Sequence, residues 1–212
     1  MEQNYIKDPR EIEEKSFEII SASLGAENRS GLKMDMIKRV IHTTADFEFA
    51  RLIKFKDDAE LRILDAFCHG CTIISDTNMI KVGINKKLTE TLGIKTECFV
   101  DDPRVHKIAR EKGITRSMAG IDLAAGIEGR KVFAIGNAPT ALYRIIELVH
   151  EGTLEVDGVI GVPVGFVGAA ESKDALWKTN IPAVISTGRK GGSTIAVALV
   201  NAVLREAVKK VG

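Results

Sequence analysis

Five short apolar runs after Gly70 constrain the fold of the last two thirds of this chain. The runs are rich in β-branched residues and occupy 71–75, 96–100, 131–135, 158–162 and 182–186. Helical segments separate them, and continuous apolar strands that alternate with helices are typical of a parallel sheet with both faces covered. We therefore predict an α/β fold: one Rossmann-like, doubly wound domain over residues 1–212 with a mostly parallel five-stranded sheet.

The N-terminal third has a different pattern, because its apolar residues recur at helical spacing. Asp8, followed by a proline, is a typical start for a helix over 8–24, whose apolar face contains Ile12, Ile19 and Ile20. Further helices are predicted at 34–43, 46–55 and 58–69. The first third of the chain is therefore predicted to be helical.

The charge balance narrows the class of partner. The chain has 30 Lys and Arg against 29 Asp and Glu, a net charge of +1, which argues against a general binder of nucleic acids or membrane surfaces. The longest apolar stretches fall short of the roughly 20 residues that span a bilayer. Three cysteines, an odd number, and no basic-then-apolar N-terminal segment lead us to expect a reducing cytoplasm.

Each predicted strand runs into polar or glycine-rich sequence, and in parallel sheets such segments line a cleft at the carboxyl ends of the strands. In GNAP, after the third run, Asn137 can cap the next helix, and Gly136 can let an anionic ligand approach the backbone at the helix N-terminus; the two roles are compatible. In TGRKGGS, after the fifth run, Arg189 and Lys190 precede a helix that starts at Ser193. This loop either holds a carboxylate or phosphate group or is a surface loop with solvated charges.

The motifs of common cofactor sites are incomplete. The glycines of GVPVGFVGAAESK lack the GxGxxG spacing, and the phosphate-binding pattern GxxxxGK[ST] is absent. Cys68 and Cys71 have the spacing of half a zinc site, but no second pair completes it. We expect buried, inert thiols, no metal and no nicotinamide cofactor.

His42 directly follows the apolar face of the predicted helix 34–43. On a helical wheel it lies about 100° outside the arc that contains Val40 and Ile41. The negative end of the helix dipole favours imidazolium at such a position, which suits a general acid. The alternative, favoured by the wheel alone, is a surface histidine that completes the helix end. Ser16, on the first helix, either bonds the carbonyl of the preceding turn or points into a pocket.

Eight segments taken together resemble the precorrin-8X methylmutases, also called cobalt-precorrin-8 methylmutases, of cobalamin biosynthesis. In chain order the segments are YIKDPREIEEKSFEII, VIHTTADFEF, SDTNMIKVGI, DDPRV, TRSMAGI, AIGNAPTAL, GVPVGFVGAAESK and GRKGGS. They span almost the whole chain at the approximate separations of that family. The resemblance is specific because chance would have to place eight segments in register.

The resemblance implies a homodimer of Rossmann-like subunits with active sites near the subunit interface. It also implies an isomerase that moves a methyl group from C-11 to C-12 of a tetrapyrrole, giving hydrogenobyrinic acid or its cobalt counterpart, without an organic cofactor. The family's catalytic histidine matches His42, which would act as the general acid. The candidate residues for substrate contacts are Arg116, Arg189 and Lys190 for its carboxylates, Ser16, Asn137 and Ser193 for further hydrogen bonds, and Thr43 for orienting the His42 region.

A second hypothesis, from a different functional class, is a corrinoid carrier that binds the pigment in the same cleft without turnover. A third, a nucleotide-dependent oxidoreductase, predicts stabilisation by NAD or ATP, which we do not expect.

Overall fold

The computed structural model describes residues 6–25 and 31–212, so Tyr5, the first residue of the first family-like segment, lies outside them. Within these ranges the chain forms eleven helices and six strands. In chain order they are α1 (Pro9–Leu24), α2 (Leu32–Thr44), α3 (Phe49–Leu52), β1 (Ile53–Lys56), α4 (Ala59–Cys68), β2 (Thr72–Ser75), α5 (Asn78–Gly83), α6 (Lys86–Thr91), β3 (Lys95–Cys98), α7 (Pro103–Lys112), α8 (Arg116–Ala125), β4 (Lys131–Ile135), α9 (Pro139–His150), β5 (Gly158–Gly161), α10 (Ala169–Trp177), β6 (Ala183–Ser186) and α11 (Ser193–Val211).

The strands form one mixed sheet in the order β1-β6-β5-β4-β2-β3. The five predicted runs correspond to β2 through β6, and every pairing among them is parallel. The predicted α/β class and mostly parallel sheet are therefore confirmed. The predicted Rossmann-like arrangement is not confirmed, because the parallel strands follow the order of flavodoxin-like doubly wound sheets rather than that of dinucleotide-binding domains.

The sheet has six strands rather than the predicted five, because one strand lies inside a predicted helix. The helix predicted at 46–55 contains only the short α3, and the backbone is already extended at Ile53, with φ −72° and ψ 124°. From Ile53 to Lys56 the chain pairs antiparallel with β6. This edge pairing overrides the local helical spacing, as tertiary context often does for a segment of four residues.

Two layers of helices cover the sheet, as the doubly wound prediction requires. Neighbouring strand residues alternate between the layers: Ile73 and Val132 pack in the core with α2, α4 and α11, whereas Ile74 and Phe133 pack with α8, α9 and α10. Strands buried on both faces explain the continuous apolar runs in the sequence.

The first helix begins where the sequence predicts, because the Asp8 carboxylate accepts hydrogen bonds from the N–H groups of Arg10 and Glu11. Its predicted apolar face is only partly buried: Ile20 packs in the core, whereas Ile12 and Ile19 are exposed. Among the described helices, none is both long and apolar enough to cross a lipid bilayer.

Candidate active site

Asp76 organises the turn at the topological switch point of the sheet, between β2 and β4. Its buried carboxylate accepts three backbone hydrogen bonds, from Gly136 at 3.0 Å, Asn137 at 2.8 Å and Ala138 at 2.6 Å. Burial raises the pKa of the Asp76 carboxyl, and the three N–H donors oppose that shift. The ligand-binding crevice of a doubly wound sheet opens at its switch point. The Asp76 carboxylate therefore holds the backbone turn 136–138 that forms the bottom of this crevice.

The structure rejects the capping interpretation of Asn137. The N-cap position of α9 is Ala138, and no side chain caps the helix. Asp76 instead accepts hydrogen bonds from the backbone N–H groups of Asn137 and Ala138, which lie just before the first turn of α9. The Asn137 side chain is exposed and available to a ligand.

The first turn of α11 lies against this switch-point turn. The Ser193 hydroxyl lies 3.0 Å from that of Thr77, which follows β2. A Cβ atom on Gly136 would lie only 2.8 Å from the Ser193 Cα atom, so glycine is required for the backbones to approach. Ser193 and Asn137, predicted as substrate contacts, are thus brought to one edge of the sheet.

Lys173, which the sequence did not single out, connects the loops after β5 and β6. Its fully buried ammonium donates hydrogen bonds to the carbonyl oxygens of Pro163 at 2.9 Å and Lys190 at 3.0 Å. Burial lowers the pKa of Lys173 to about 8. The loop containing Arg189 and Lys190 is therefore held in place by its backbone rather than left as a free surface loop.

The two cations of that loop have different environments. The Lys190 ammonium is paired with two carboxylates, those of Asp46 and Glu48, the latter at 2.7 Å. These pairs connect the loop to the segment after α2, and the charge of Lys190 is already balanced. The Arg189 guanidinium lies over the exposed Phe166 ring, 5.6 Å from its centroid, and remains open to an anionic ligand.

Arg116 lies on the face of the sheet that α8 covers, opposite the α11 layer. It begins α8 and forms a 3.5 Å ion pair with Asp101. With Ser75 and Asp76 it lines a small cavity beneath the α8 layer, whereas His42 lines a cleft on the α11 layer.

His42 lies in the last turn of α2, where that helix meets α5 and α11. The cleft there has a volume of about 290 Å³. Its lining residues are Arg39, His42, Thr43, Met79, Gly83, Thr194, Val197, Ala198, Asn201 and Arg205. Since Thr194 follows Ser193 directly, the first turn of α11 joins this cleft to the crevice at the strand ends.

An aromatic ring orients His42. Phe17, on α1, stacks on the imidazole with ring centroids 5.2 Å apart and planes 13° from parallel. The neighbouring Ser16 donates its hydroxyl hydrogen to the Ile12 carbonyl at 2.8 Å, so its side chain bonds the preceding turn. Thr43 likewise bonds the Arg39 carbonyl, at 2.8 Å. Stacking leaves the ring edge, which carries both nitrogens, available to a ligand.

Cys71 and Cys98 are poorly suited to metal binding or catalysis. Burial raises the pKa of the Cys71 thiol to about 12 and also raises that of Cys98. Thiolates, not thiols, bind metals and act as nucleophiles. Both residues therefore behave as small apolar side chains.

Comparison with known proteins assigns the family. The precorrin-8X methylmutase family profile matches residues 11–206. A cobalt-precorrin-8 methylmutase of Salmonella typhimurium is 51% identical over 95% of this chain and 97% of its own length. One from Priestia megaterium is 40% identical over 92% and 87%, respectively. The crystal structure of precorrin-8x methyl mutase from Thermus thermophilus matches with a TM-score of 0.86 and 36% identity, over 95% of this chain and 98% of that one. The chain therefore belongs to the precorrin-8X methylmutase family.

Proposed function

We propose that this chain catalyses methyl migration from C-11 to C-12 of a precorrin-8-type tetrapyrrole, with His42 as the general acid. Family membership makes the chain an isomerase of cobalamin biosynthesis. The observation that carries the role of His42 is its position: an exposed imidazole at a helix C-terminus, stacked on Phe17, at the mouth of a cleft. An intramolecular migration of this kind needs no nucleophile.

The proposed reaction needs one proton donor, positioned beside the macrocycle. A hydrogen donated to the macrocycle near ring C would shift electron density and lower the barrier for the migrating methyl group. General acid assistance is typically worth 10²- to 10⁴-fold, roughly 3 to 5 kcal/mol. His42 lies in the last turn of α2, and the stacked Phe17 ring limits the rotation of the imidazole.

The crevice side chains described above are proposed as substrate contacts. Arg189 and Arg116 would bind peripheral carboxylates, and Asn137 and Ser193 would add hydrogen bonds at the sheet edge. Lys190, Thr43 and Ser16 already have protein partners. We propose that Lys190 and Thr43 act by holding the loop and the helix end, and that Ser16 contacts the substrate only if its rotamer changes.

We propose the cobalt-containing substrate, because the two curated relatives described above carry cobalt in their names. The protein holds the macrocycle rather than the metal, so both forms should bind. Separate incubation with metal-free and cobalt-containing substrate, followed by visible absorbance, is expected to give faster conversion of the cobalt form. Conversion of neither form by folded protein would leave the carrier hypothesis as the better account.

We also propose that the chain is a homodimer whose second copy helps to enclose the substrate. The cleft beside His42, at about 290 Å³, lies at the low end of the range of about 300 to 1,000 Å³ found for small-ligand sites, which is small for a ligand the size of a tetrapyrrole. Apolar side chains near the strand ends are also strongly exposed, at 80% for Val82, 83% for Phe166 and 90% for Val167. Such exposure is typical of surfaces that bind a ligand or a second subunit.

The dimer is tested by light scattering coupled to gel filtration. The wild-type protein is expected at about twice the 23.1 kDa mass of the chain, and Val82→Asp is expected to shift it toward the monomer, because it buries a charge at the interface. Leu61→Asp, at an exposed apolar position on α4, is the matched control and should leave the mass unchanged. A monomeric wild-type protein at micromolar concentration would contradict the proposal.

A further inference from the structure

We propose that Arg205, on α11, binds a peripheral carboxylate of the substrate in the His42 cleft, an inference that rests on the proposed function. Its guanidinium and the His42 imidazole line the same cleft. The loop cations Arg189 and Lys190 lie instead in the loop that precedes α11. The inference therefore places an additional carboxylate contact beside the proposed general acid.

The side of α11 that lines the cleft has the polarity expected for a flat, acidic ligand. Thr194, Val197, Ala198, Asn201 and Arg205 follow one another at helical spacing along it. The rise of a helix places Arg205 about 16 Å from Thr194 along the axis. The apolar middle of this surface suits the face of a macrocycle, and the cation at its far end suits a carboxylate on the rim.

Two other polar side chains of the cleft, those of Arg39 and Asn201, already have protein partners. Arg39 is paired with Glu13 and lies over the Phe17 ring, 4.5 Å from its centroid. Asn201 accepts a hydrogen bond from the N–H of Asn85 and donates one to the Gly83 carbonyl. These bonds stabilise the fold, so neither side chain is free to bind a ligand without breaking one.

Arg205 differs in this respect. It is exposed, and within residues 6–25 and 31–212 no carboxylate forms an ion pair with it. Of the nearby carboxylates, Glu206 pairs with Lys209 at 3.2 Å and Glu13 pairs with Arg39. Asp35 lines an adjacent pocket together with Arg205 but forms no ion pair with it. The hydrogen bond from Arg39 is the main cause of the lowered pKa of Glu13, and the positive charge of Arg205 contributes to the same shift.

A guanidinium is well matched to this task. Its planar donors bind both oxygens of a carboxylate in parallel, which fixes the orientation of that carboxylate. An anchored carboxylate would also fix which edge of the macrocycle faces His42. Arg205 is therefore a binding and orienting residue rather than one that takes part in proton transfer.

The test measures binding and turnover separately in Arg205→Gln and Arg205→Lys. The ligands are the corrinoid product of the proposed reaction and the set of its monoamides, each with one carboxylate converted to an amide. Arg205→Gln is expected to bind the free acid about tenfold more weakly, and to bind one monoamide as well as the wild type does. Arg205→Lys should recover part of the loss. Arg110→Gln, which removes an exposed arginine from α7, is the charge-matched control and should change nothing.

Two results would overturn the inference. The first is wild-type affinity of Arg205→Gln for the free acid. The second is an equal loss of affinity of Arg205→Gln for the free acid and for every monoamide, because such a loss cannot come from a contact with one particular carboxylate. If either result is observed and the wild type converts substrate, the proposed role of Arg205 is wrong but the proposed function stands. If the wild type neither binds nor converts the macrocycle, the proposed function fails and this inference with it.

Discussion

His42→Ala is expected to bind the macrocycle and to lose methyl migration by about 10²- to 10⁴-fold, because it removes the proposed proton donor while leaving the cleft in place. Binding is followed by the visible absorbance of the macrocycle that comigrates with the protein, and turnover by its spectral change. The same pair of measurements separates the enzyme from a carrier, since a carrier binds without any turnover in the wild type.

A second substitution separates chemistry from ring packing. His42→Phe keeps an aromatic ring for Phe17 to stack on but has no nitrogen to donate a proton, so it should be as inactive as His42→Ala. His106→Ala, at an exposed position on α7, should keep full activity. Wild-type turnover in His42→Phe would remove His42 from the role of general acid, because only its shape would then matter.

Asp76→Ala is expected to cost about 3 kcal/mol of unfolding free energy. The buried N–H groups of Gly136 and Ala138 lose their acceptor, and an unsatisfied buried donor costs about 1 to 3 kcal/mol. Urea denaturation followed by circular dichroism measures the change. The turn that carries Asn137 should also loosen, so the affinity for the macrocycle should fall.

Two further variants make this prediction specific. Asp76→Asn keeps one carbonyl oxygen as an acceptor and should lie between the wild type and Asp76→Ala. Asp174→Ala, at an exposed position on α10, should stay within about 0.5 kcal/mol of the wild type. A loss of less than about 1 kcal/mol in Asp76→Ala would show that Asp76 does not hold the switch-point turn.

The fold could be predicted from the sequence where one strong local pattern decides the structure. Residues 132–135 are apolar without interruption because both faces of β4 are buried, and Asp8 followed by proline starts α1 as expected. The strand at Ile53–Lys56 could not be predicted in this way. It is short, lies at the sheet edge, and depends on pairing with β6, more than 120 residues later in the chain.

The candidate site could be predicted only in part for the same reason. His42 was identified from a local break in the apolar pattern, and the family resemblance gave it a role. Three other residues act on parts of the chain that are distant in sequence. Asp76 accepts from backbone N–H groups of another turn, Phe17 stacks on a ring of another helix, and Lys173 donates to carbonyl groups of two loops. Only Asp76, which directly follows a predicted strand, carried a signal that could have identified it.

The roles of Lys190 and Asn137 could not be predicted from the sequence of their own loops. The sequence GRKGGS suggests two equivalent cations, but Asp46 and Glu48, which neutralise one of them, lie more than 140 residues earlier. Asn137, two residues before a proline, suggests a helix cap, but its backbone N–H donates to the buried Asp76 carboxylate and its side chain does not cap α9. In both cases a partner distant in sequence decides the role of the side chain.

In the proposed mechanism the His42 imidazole faces the bound tetrapyrrole and gives it a hydrogen. A crystal structure of the protein with the reaction product would show the position of that imidazole relative to the macrocycle. It is expected to show an imidazole nitrogen within hydrogen-bonding distance of the macrocycle, with the pigment spread along α11 toward the strand ends. A pigment bound elsewhere, with His42 solvated in every subunit, would contradict the account.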